Sequence, residues 1–314
     1  MNSLVVGGTG FIGKHLVNYL IMHGDTVTVY ARKEPKGEMP AEVRFIKGDF
    51  SNKQNLLMAT KDIEVVYHLA WETFPSTSNQ APSEDVMRNV VGSINLLDAC
   101  VKNDVRRIIF SSSGGTVYGR PIHLPVDESH FTDPISSYGI TKLTVEKYIK
   151  LYEYLYGLEY TILRVANAYG EGQLPYRGQG VIPTFLAKIY ENKPIIIFGD
   201  GSIVRDYVHV TDVVRAFYLS AHNSLPNCIY NVGSSQAVSL KDLVDKIIAI
   251  TGKNVLVRYE QARLFDVPKV VLDCKLIKYE IGWDIKIKLD EGIERTWTWI
   301  QTQMKAVLER IIWK

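Results

Sequence analysis

Leu4-Val5-Val6-Gly7-Gly8-Thr9-Gly10-Phe11-Ile12-Gly13 is the stretch on which the fold turns. A short apolar run passes directly into glycines. Beyond them Ile12, Leu16, Tyr19 and Leu20 recur at helical spacing through Ile12–His23. The stretch satisfies both G-x-x-G-x-x-G and G-x-G-x-x-G, placed after a strand and before a helix. Glycines there permit a tight turn and let backbone amides approach a pyrophosphate, and the helix start adds donors and a favourable dipole. Gly7, Gly10, Phe11, Ile12 and Gly13 are therefore candidate dinucleotide contacts.

The pattern continues outward. Leu4–Val6, Val27–Tyr30, Val43–Ile46, Glu64–Leu69, Arg107–Ser111 and Tyr160–Val165 read as strands, several of them apolar throughout, as in sheets covered on both faces. Helical patterns at Gln54–Ala59, Val86–Lys102 and Tyr138–Tyr156 lie between them. This alternation predicts an α/β fold, a Rossmann-type doubly wound parallel sheet. After Val165 the pattern changes. Ala168–Gly180 holds four glycines and a proline and reads as a loop. Then come a helix near Val181–Glu191, strands Ile195–Phe198 and Val204–Val208, and a helix from Asp212 to Ala221. Ser239 followed by Asp242 resembles a capping box. In Ile293–Trp313, Ile293, Trp297, Ile300, Met304, Leu308 and Ile311 align as one helical face packed on the second lobe. The expected organisation is a dinucleotide-binding unit at 1–168, with segments near 204–234 returning to it. A smaller, interleaved α/β substrate lobe occupies 169–314.

The second strand ends in Val29-Tyr30-Ala31-Arg32-Lys33. An acid at its end would bind the adenosine ribose of NAD, whereas an arginine can hold the 2′-phosphate of NADP. Ala31 stands in the acid's place, so Arg32 tilts the expectation to NADP(H), with NAD(H) the alternative. Tyr138 and Lys142 are four residues apart on a helix and share a face. A free phenol titrates near pH ~10, too high for proton exchange at neutrality, and a nearby cation would lower it. Lys142 can supply that cation and also reach a nicotinamide ribose. Upstream, Ser111-Ser112-Ser113-Gly114-Gly115-Thr116-Val117-Tyr118-Gly119 closes a strand at the sheet edge where parallel α/β proteins bind ligands. One hydroxyl there can bond a substrate oxygen and relay its proton to Tyr138.

Composition narrows the class. The 314 residues are 46% hydrophobic and 22% charged, an ordinary globular balance. A net charge of +2 without a basic block gives nucleic acid no foothold. Cys100, Cys228 and Cys274 are odd in number and far apart, with neither metal-ligand nor disulfide spacing, which fits a reducing cytoplasm. The start lacks signal-peptide features and no apolar run is long enough to span a bilayer, so no membrane role is expected.

With these residues in place the chain resembles the extended short-chain dehydrogenase/reductase family, in its nucleotide-sugar epimerase, dehydratase and ketoreductase branch. The markers are the glycine turn at 7–13, Gly48-Asp49-Phe50, His68-Leu69-Ala70, Asn89-Val90-Val91-Gly92, the serine cluster and Tyr138/Lys142. Arg164-Val165-Ala166-Asn167, Gly199-Asp200-Gly201, Arg205-Asp206-Tyr207-Val208-His209-Val210, Gly282-Trp283 and Leu289-Asp290-Glu291-Gly292 follow in order. The resemblance implies that Asp49 and Phe50 lie at the adenine, and that Leu69, Ala70 and Asn89 border the cofactor. It implies that Asn167, Arg205 and Arg263 hold a sugar-nucleotide diphosphate and that Asp266 lies near the nucleoside ribose. Arginine forks suit phosphates. It also implies a homodimer through Val86–Lys102 and Tyr138–Tyr156.

Three departures shape the expected reaction. Ala31-Arg32 replaces the acid common in NAD-retaining epimerases. Counted back from Val117-Tyr118-Gly119, the usual catalytic hydroxyl position holds Gly114. Counted from the strand it is Ser113, with Thr116 the substitute. The Asp-Glu pair of 4,6-dehydratases is absent, with Gly115 and Thr116 in its place, so elimination lacks its acid and base. The expectation is NADPH-dependent reduction of the C4 carbonyl of a dTDP-4-keto-6-deoxyhexose, giving a sugar such as dTDP-fucose for surface polysaccharide. The alternative is an NAD-dependent UDP-hexose 4-epimerase. A non-catalytic NADP(H)-binding regulator is the reading from another class, opposed by the presence of both Tyr138 and Lys142.

Overall fold

The computed structural model describes residues 1–34, 39–176, 179–223, 227–263 and 267–312, with backbone alone at residues 76 and 304–312. The chain opens with β1 (Asn2–Val6), α1 (Phe11–Met22), β2 (Thr26–Ala31), β3 (Arg44–Lys47), α2 (Lys53–Ala59) and β4 (Val65–His68). Short α3 (Pro75–Ser78) and α4 (Pro82–Asp85) lead through a π-helical turn (Val86–Val90) into α5 (Val91–Lys102). Next come β5 (Arg107–Ser113), α6 (Ser137–Tyr156), β6 (Glu159–Val165), β7 (Asn167–Tyr169) and α7 (Val181–Tyr190). The remainder is β8 (Ile195–Phe198), β9 (Val204–Arg205), β10 (Tyr207–His209), α8 (Val210–His222), β11 (Cys228–Val232) and β12 (Val238–Ser239). It ends with α9 (Leu240–Thr251), β13 (Val257–Glu260), α10 (Lys275–Ile281) and α11 (Leu289–Ile312).

Seven strands form one sheet in the order β11-β6-β5-β4-β1-β2-β3, every neighbouring pair parallel. Strand order reverses between β1 and β4, the place where such sheets open a ligand crevice beyond their carboxyl ends. Burial explains the uninterrupted apolar strands. On one face Val5, Val29 and Ile109 pack with Leu16 and Leu20 of α1 and Val213 and Phe217 of α8. On the other, Leu4, Val66 and Ile108 pack with Leu56, Leu96 and Ile149 of α2, α5 and α6. A third core gathers Leu186, Ile195, Leu243, Ile293, Trp297 and Ile300. Of the face expected in the last helix, Ile293, Trp297 and Ile300 are buried, and the side chains from Met304 on lie outside the described ones.

The capping box forms as its spacing demands. Ser239 Oγ accepts from Asp242 N at 3.0 Å, and the Asp242 carboxylate accepts from Ser239 N at 3.3 Å. Two readings change. The expected strand Val204–Val208 is broken at Asp206, so β9 pairs with β12 and β10 with β7. Between the two pairings the Asp206 carboxylate is buried and accepts from the backbone of Ser234, Ser235 and Leu272. The start of the glycine-rich stretch, expected as loop from Ala168, is strand β7, paired Tyr207 to Asn167 through His209 to Tyr169. Among the described residues no helix is long and apolar enough to cross a membrane.

Candidate active site

The glycine turn is built without space for side chains. Gly7 has φ +91°, and a Cβ there would lie 2.7 Å from Ala70 N, while a Cβ on Gly13 would lie 2.3 Å from Gly7 O. Gly10 N donates to Gly7 O at 3.0 Å, and Leu69 N donates to Val6 O at 2.9 Å. Gly7, Leu69 and Ala70 thus meet backbone to backbone, with Phe11 and Ile12 opening α1. This cradle fits the pyrophosphate of a dinucleotide, whose approach any Cβ would obstruct. Asp49 follows β3, and its carboxylate is held below its ordinary range by Ser51 hydrogen bonds, with Arg32 and Arg88 adding to the effect. Phe50 is buried beneath, packed on His68 and against Gly92, where a Cβ would meet its ring at 2.5 Å.

Arg32 does not stand alone at the end of β2. Its Nη1 lies 2.7 Å from Glu72 Oε1, and Glu72 Oε2 accepts from Arg88 Nη1 at 3.0 Å. Glu72 N donates to Asn89 Oδ1 at 3.0 Å, so the backbone that carries this carboxylate is fixed by a buried amide.

Tyr138 and Lys142 come together on the first two turns of α6. Lys142 Nζ lies 5.7 Å from the Tyr138 ring centroid, 3.7 Å from that of Trp71, and donates to Ser111 O at 2.7 Å. Tyr138 is half-buried, its amide donates to Ser78 Oγ at 3.0 Å, and Trp71 stands edge-on to its ring. The expected acidic phenol is not what this arrangement produces. Burial pushes the Tyr138 phenol up and the Asp85 charge adds to the rise. Burial also drives Lys142 well down, opposed by Glu146 and Asp85. Desolvation outweighs the pairing because the ammonium bonds a carbonyl, not the phenol. His68, buried behind, is pushed down to about 3 by burial with Lys142 contributing.

The serine cluster divides by strand alternation. Ser112 Oγ donates to Glu146 Oε1 at 2.5 Å, and Arg164 forks onto the same carboxylate through Nη2 at 2.7 Å and Nε at 3.1 Å. Ser112 is therefore structural, and Ser111 contributes its carbonyl to Lys142. Ser113 is half-buried at the end of β5, its carbonyl accepting from Thr116 N. Thr116 O lies where a Cβ on Gly139 would meet it at 2.9 Å, beside the Tyr138 turn, and Thr116 Oγ1 is buried with no hydrogen-bond partner. At Gly114 a Cβ would stand 2.5 Å from the Leu272 side chain and 2.9 Å from Arg164 O, so no serine fits there.

Other expected site residues follow β6 in the chain. Asn167 Nδ2 donates to Asp206 O at 2.9 Å, Arg205 Nη1 donates to Val267 O at 2.6 Å, and Arg263 stacks 4.5 Å over the Phe198 ring. Asp266 lies outside the described residues.

Asp85 was not legible in the sequence. It is fully buried and accepts from Thr73 Oγ1 (2.5 Å) and Asn89 Nδ2 (2.7 Å) at Oδ1, and from Ser137 Oγ (2.7 Å) and Thr141 Oγ1 (3.0 Å) at Oδ2. Four donors fill a carboxylate's acceptor positions. Two of them immediately precede Tyr138 and Lys142, so Asp85 positions the pair. Asp85→Asn turns one acceptor edge into a donor facing donors, an expected stability loss of about 1–3 kcal/mol. The sign of its pH effect follows from charge. Asp85 raises both Tyr138 and Lys142. Its neutralisation lets both fall, so both limbs of the kcat–pH profile are expected to move to lower pH.

Residues 3–233 match the NAD dependent epimerase/dehydratase family. A Methanocaldococcus jannaschii protein named "Putative UDP-glucose 4-epimerase" is 40% identical over 306 residues, covering 96% of this chain and 99% of its own. The UDP-glucose 4-epimerase of Thermotoga maritima, solved with UDP-glucose, superposes with a TM-score of 0.93 at 35% identity, covering 97% of this chain and 100% of that one. The dTDP-4-dehydro-6-deoxyglucose reductase of Escherichia coli is 30% identical over 301 residues, 93% of this chain and 95% of that protein. The glycine cradle at the strand-order reversal and the Tyr138/Lys142 pair beside it thus stand in a whole-length match. The chain belongs to the NAD dependent epimerase/dehydratase family.

Proposed function

We propose that this chain is a UDP-hexose 4-epimerase that retains NAD(H) through its cycle. The observation that carries this reading is its greater identity to the two relatives bearing that name than to the 6-deoxysugar reductase. The loop chemistry agrees: Gly115 and Thr116 offer no carboxylate for elimination, leaving proton exchange at one carbon. In this scheme Tyr138 Oη takes the proton of the C4 hydroxyl and returns it after the ketose has presented its other face. Ser113, with Thr116 as its substitute, holds the reacting oxygen, and Lys142, whose Nζ bonds Ser111 O, reaches the nicotinamide ribose. The bound nicotinamide supplies the hydride acceptor and donor, and its positive charge when oxidised opposes the rise that burial imposes on the phenol. Asn167, Arg205 and Arg263 receive the diphosphate. The same reading includes a homodimer through the stretches Val86–Lys102 and Tyr138–Tyr156, where Met87, Ile140, Leu151 and Leu155 are exposed.

A second reading, NADPH-dependent reduction of a dTDP-4-keto-6-deoxyhexose, draws support from the E. coli relative and from Ala31-Arg32-Lys33. It asks Arg32 to bind a 2′-phosphate while Glu72 already engages its guanidinium. Incubation with UDP-glucose and no added cofactor separates the two. The expected result is UDP-galactose with no net change in nicotinamide absorbance. Consumption of NADPH one-for-one with a dTDP-4-keto sugar, and no action on UDP-hexoses, would replace epimerisation with reduction.

A further inference from the structure

We propose that Glu72, not a residue of the second strand, selects the cofactor, favouring NAD(H) and rejecting the 2′-phosphate of NADP(H). The inference rests on the retained-cofactor reading above and extends it to the residue that enforces it. In a doubly wound sheet the adenosine ribose lies off the end of the second strand, where an acid usually receives its hydroxyls. Ala31 leaves that place without a carboxylate, and Arg32 follows as if to receive a phosphate. The structure returns a carboxylate to the same end of the sheet from the segment after β4.

Glu72 is well placed for this. Its side chain is only 11% exposed, while those of Arg32 and Arg88 are about half exposed, so the carboxylate sits beneath two guanidiniums that face the crevice rim. Oε1 pairs with Arg32 at 2.7 Å and Oε2 with Arg88 at 3.0 Å. The Arg88 guanidinium is held further into its charged form by the hydrogen bond it donates to Glu72 and by the Glu72 and Glu84 charges. Asp49, at the end of β3, lies in the field of both arginines. Two cations are therefore already matched by Glu72 and Asp49, with Glu84 at 3.4 Å from Arg88 on the rim.

Charge then decides between the cofactors. A 2′-phosphate would bring about two negative charges at pH 7 into this balanced group. To bind it, Arg32 either gives up its Nη1 contact with Glu72 or holds the phosphate on its other donors beside that carboxylate, and both set a shielded negative charge against the incoming one. A 2′-hydroxyl imposes neither cost, since it can donate to a carboxylate and accept from a guanidinium without adding charge. The backbone of Glu72 is pinned by Asn89, which fixes the point from which its carboxylate reaches.

The test loads the purified full-length protein with an equimolar mixture of NAD⁺ and NADP⁺. Retained nucleotide is then released by denaturation and quantified by chromatography. Wild type is expected to hold NAD(H) in excess. Glu72→Gln keeps the shape, removes the charge and frees Arg32, and is expected to move the retained ratio toward NADP(H) by about tenfold. Arg88→Ala leaves Glu72 with one cation fewer and should move the ratio further toward NAD(H), a second result available if Glu72→Gln does not fold. Preferential retention of NADP(H) by wild type overturns the proposal, as does a Glu72→Gln ratio within about twofold of wild type. So does an Arg88→Ala ratio that is unchanged or shifted toward NADP(H). The readout is retained nucleotide, so failure of epimerase turnover on UDP-hexoses leaves it legible: a correct cofactor assignment with a wrong sugar gives the expected ratios and no UDP-galactose.

Discussion

Tyr138→Phe is expected to lower kcat by about 10²–10⁴-fold, the range for removing a general acid–base group, with little change in KM. The substitution deletes only Oη. The ring keeps its edge contact with Trp71, the backbone amide keeps its bond to Ser78, and α6 keeps its cap, Ser136 Oγ accepting from Gly139 N at 3.2 Å. Folding and cofactor retention should therefore survive, and the loss should appear in the chemical step. Lys142 is not placed to substitute, because its Nζ is directed to Ser111 O at 2.7 Å. Burial raises the phenol, so the wild-type enzyme should gain activity as pH rises toward neutrality and beyond. Tyr138→Phe should flatten that rise. Steady-state rates across pH, with released nucleotide measured alongside, check both claims. Undiminished turnover by the phenylalanine variant would remove the proposed proton route.

The parallel sheet was legible in the sequence for a physical reason. Strands covered on both faces are apolar at their centres, as Leu4–Val6 of β1, Val65–Tyr67 of β4 and Ile108–Phe110 of β5 are. The glycine turn was equally legible, because backbone-to-backbone contact leaves only one residue type at Gly7 and Gly13. Tyr138 and Lys142 were legible because helical spacing brings positions four apart together. What stayed hidden depends on contacts between distant segments. Three consecutive residues after β4 serve three different places: Trp71 walls Lys142, Glu72 engages Arg32, and Thr73 bonds Asp85. Nothing local marks them. Asp85 in sequence is an acid in the first turn of a proline-started helix, a common surface role, and only the fold buries it under α6. The ambiguity between Ser113 and Gly114 could not be resolved by counting, since both counts were sound. It took the Leu272 side chain, more than a hundred residues away, to show that Gly114 has no room for a hydroxyl. Arg32 is legible by residue type as a phosphate ligand, while its pairing with Glu72 is visible only in the fold.

Gly13→Ala should be the most damaging single methyl group in the cofactor site. Its Cβ would lie 2.3 Å from Gly7 O and 2.8 Å from Gly8 Cα, both backbone atoms that cannot rotate aside. The turn they belong to is fixed from two sides, by Gly7 N donating to Tyr30 O at 2.9 Å and by Gly10 N donating to Gly7 O at 3.0 Å. Relief therefore requires α1 to lift from the turn, at a cost of about 3 kcal/mol, the upper end of overpacking. If that cost falls on binding, dinucleotide retention drops by about 100-fold. Gly10→Ala provides the comparison. Its Cβ meets only Gly7 O, at 3.3 Å, so the fold should tolerate it while the added methyl obstructs the pyrophosphate. The two variants are thus expected to diverge: both lose retained nucleotide, but only Gly13→Ala also melts at distinctly lower temperature. Equal melting temperatures would mean that α1 can move off the turn at little cost, and the glycine at 13 would then have to be explained by the ligand's approach alone.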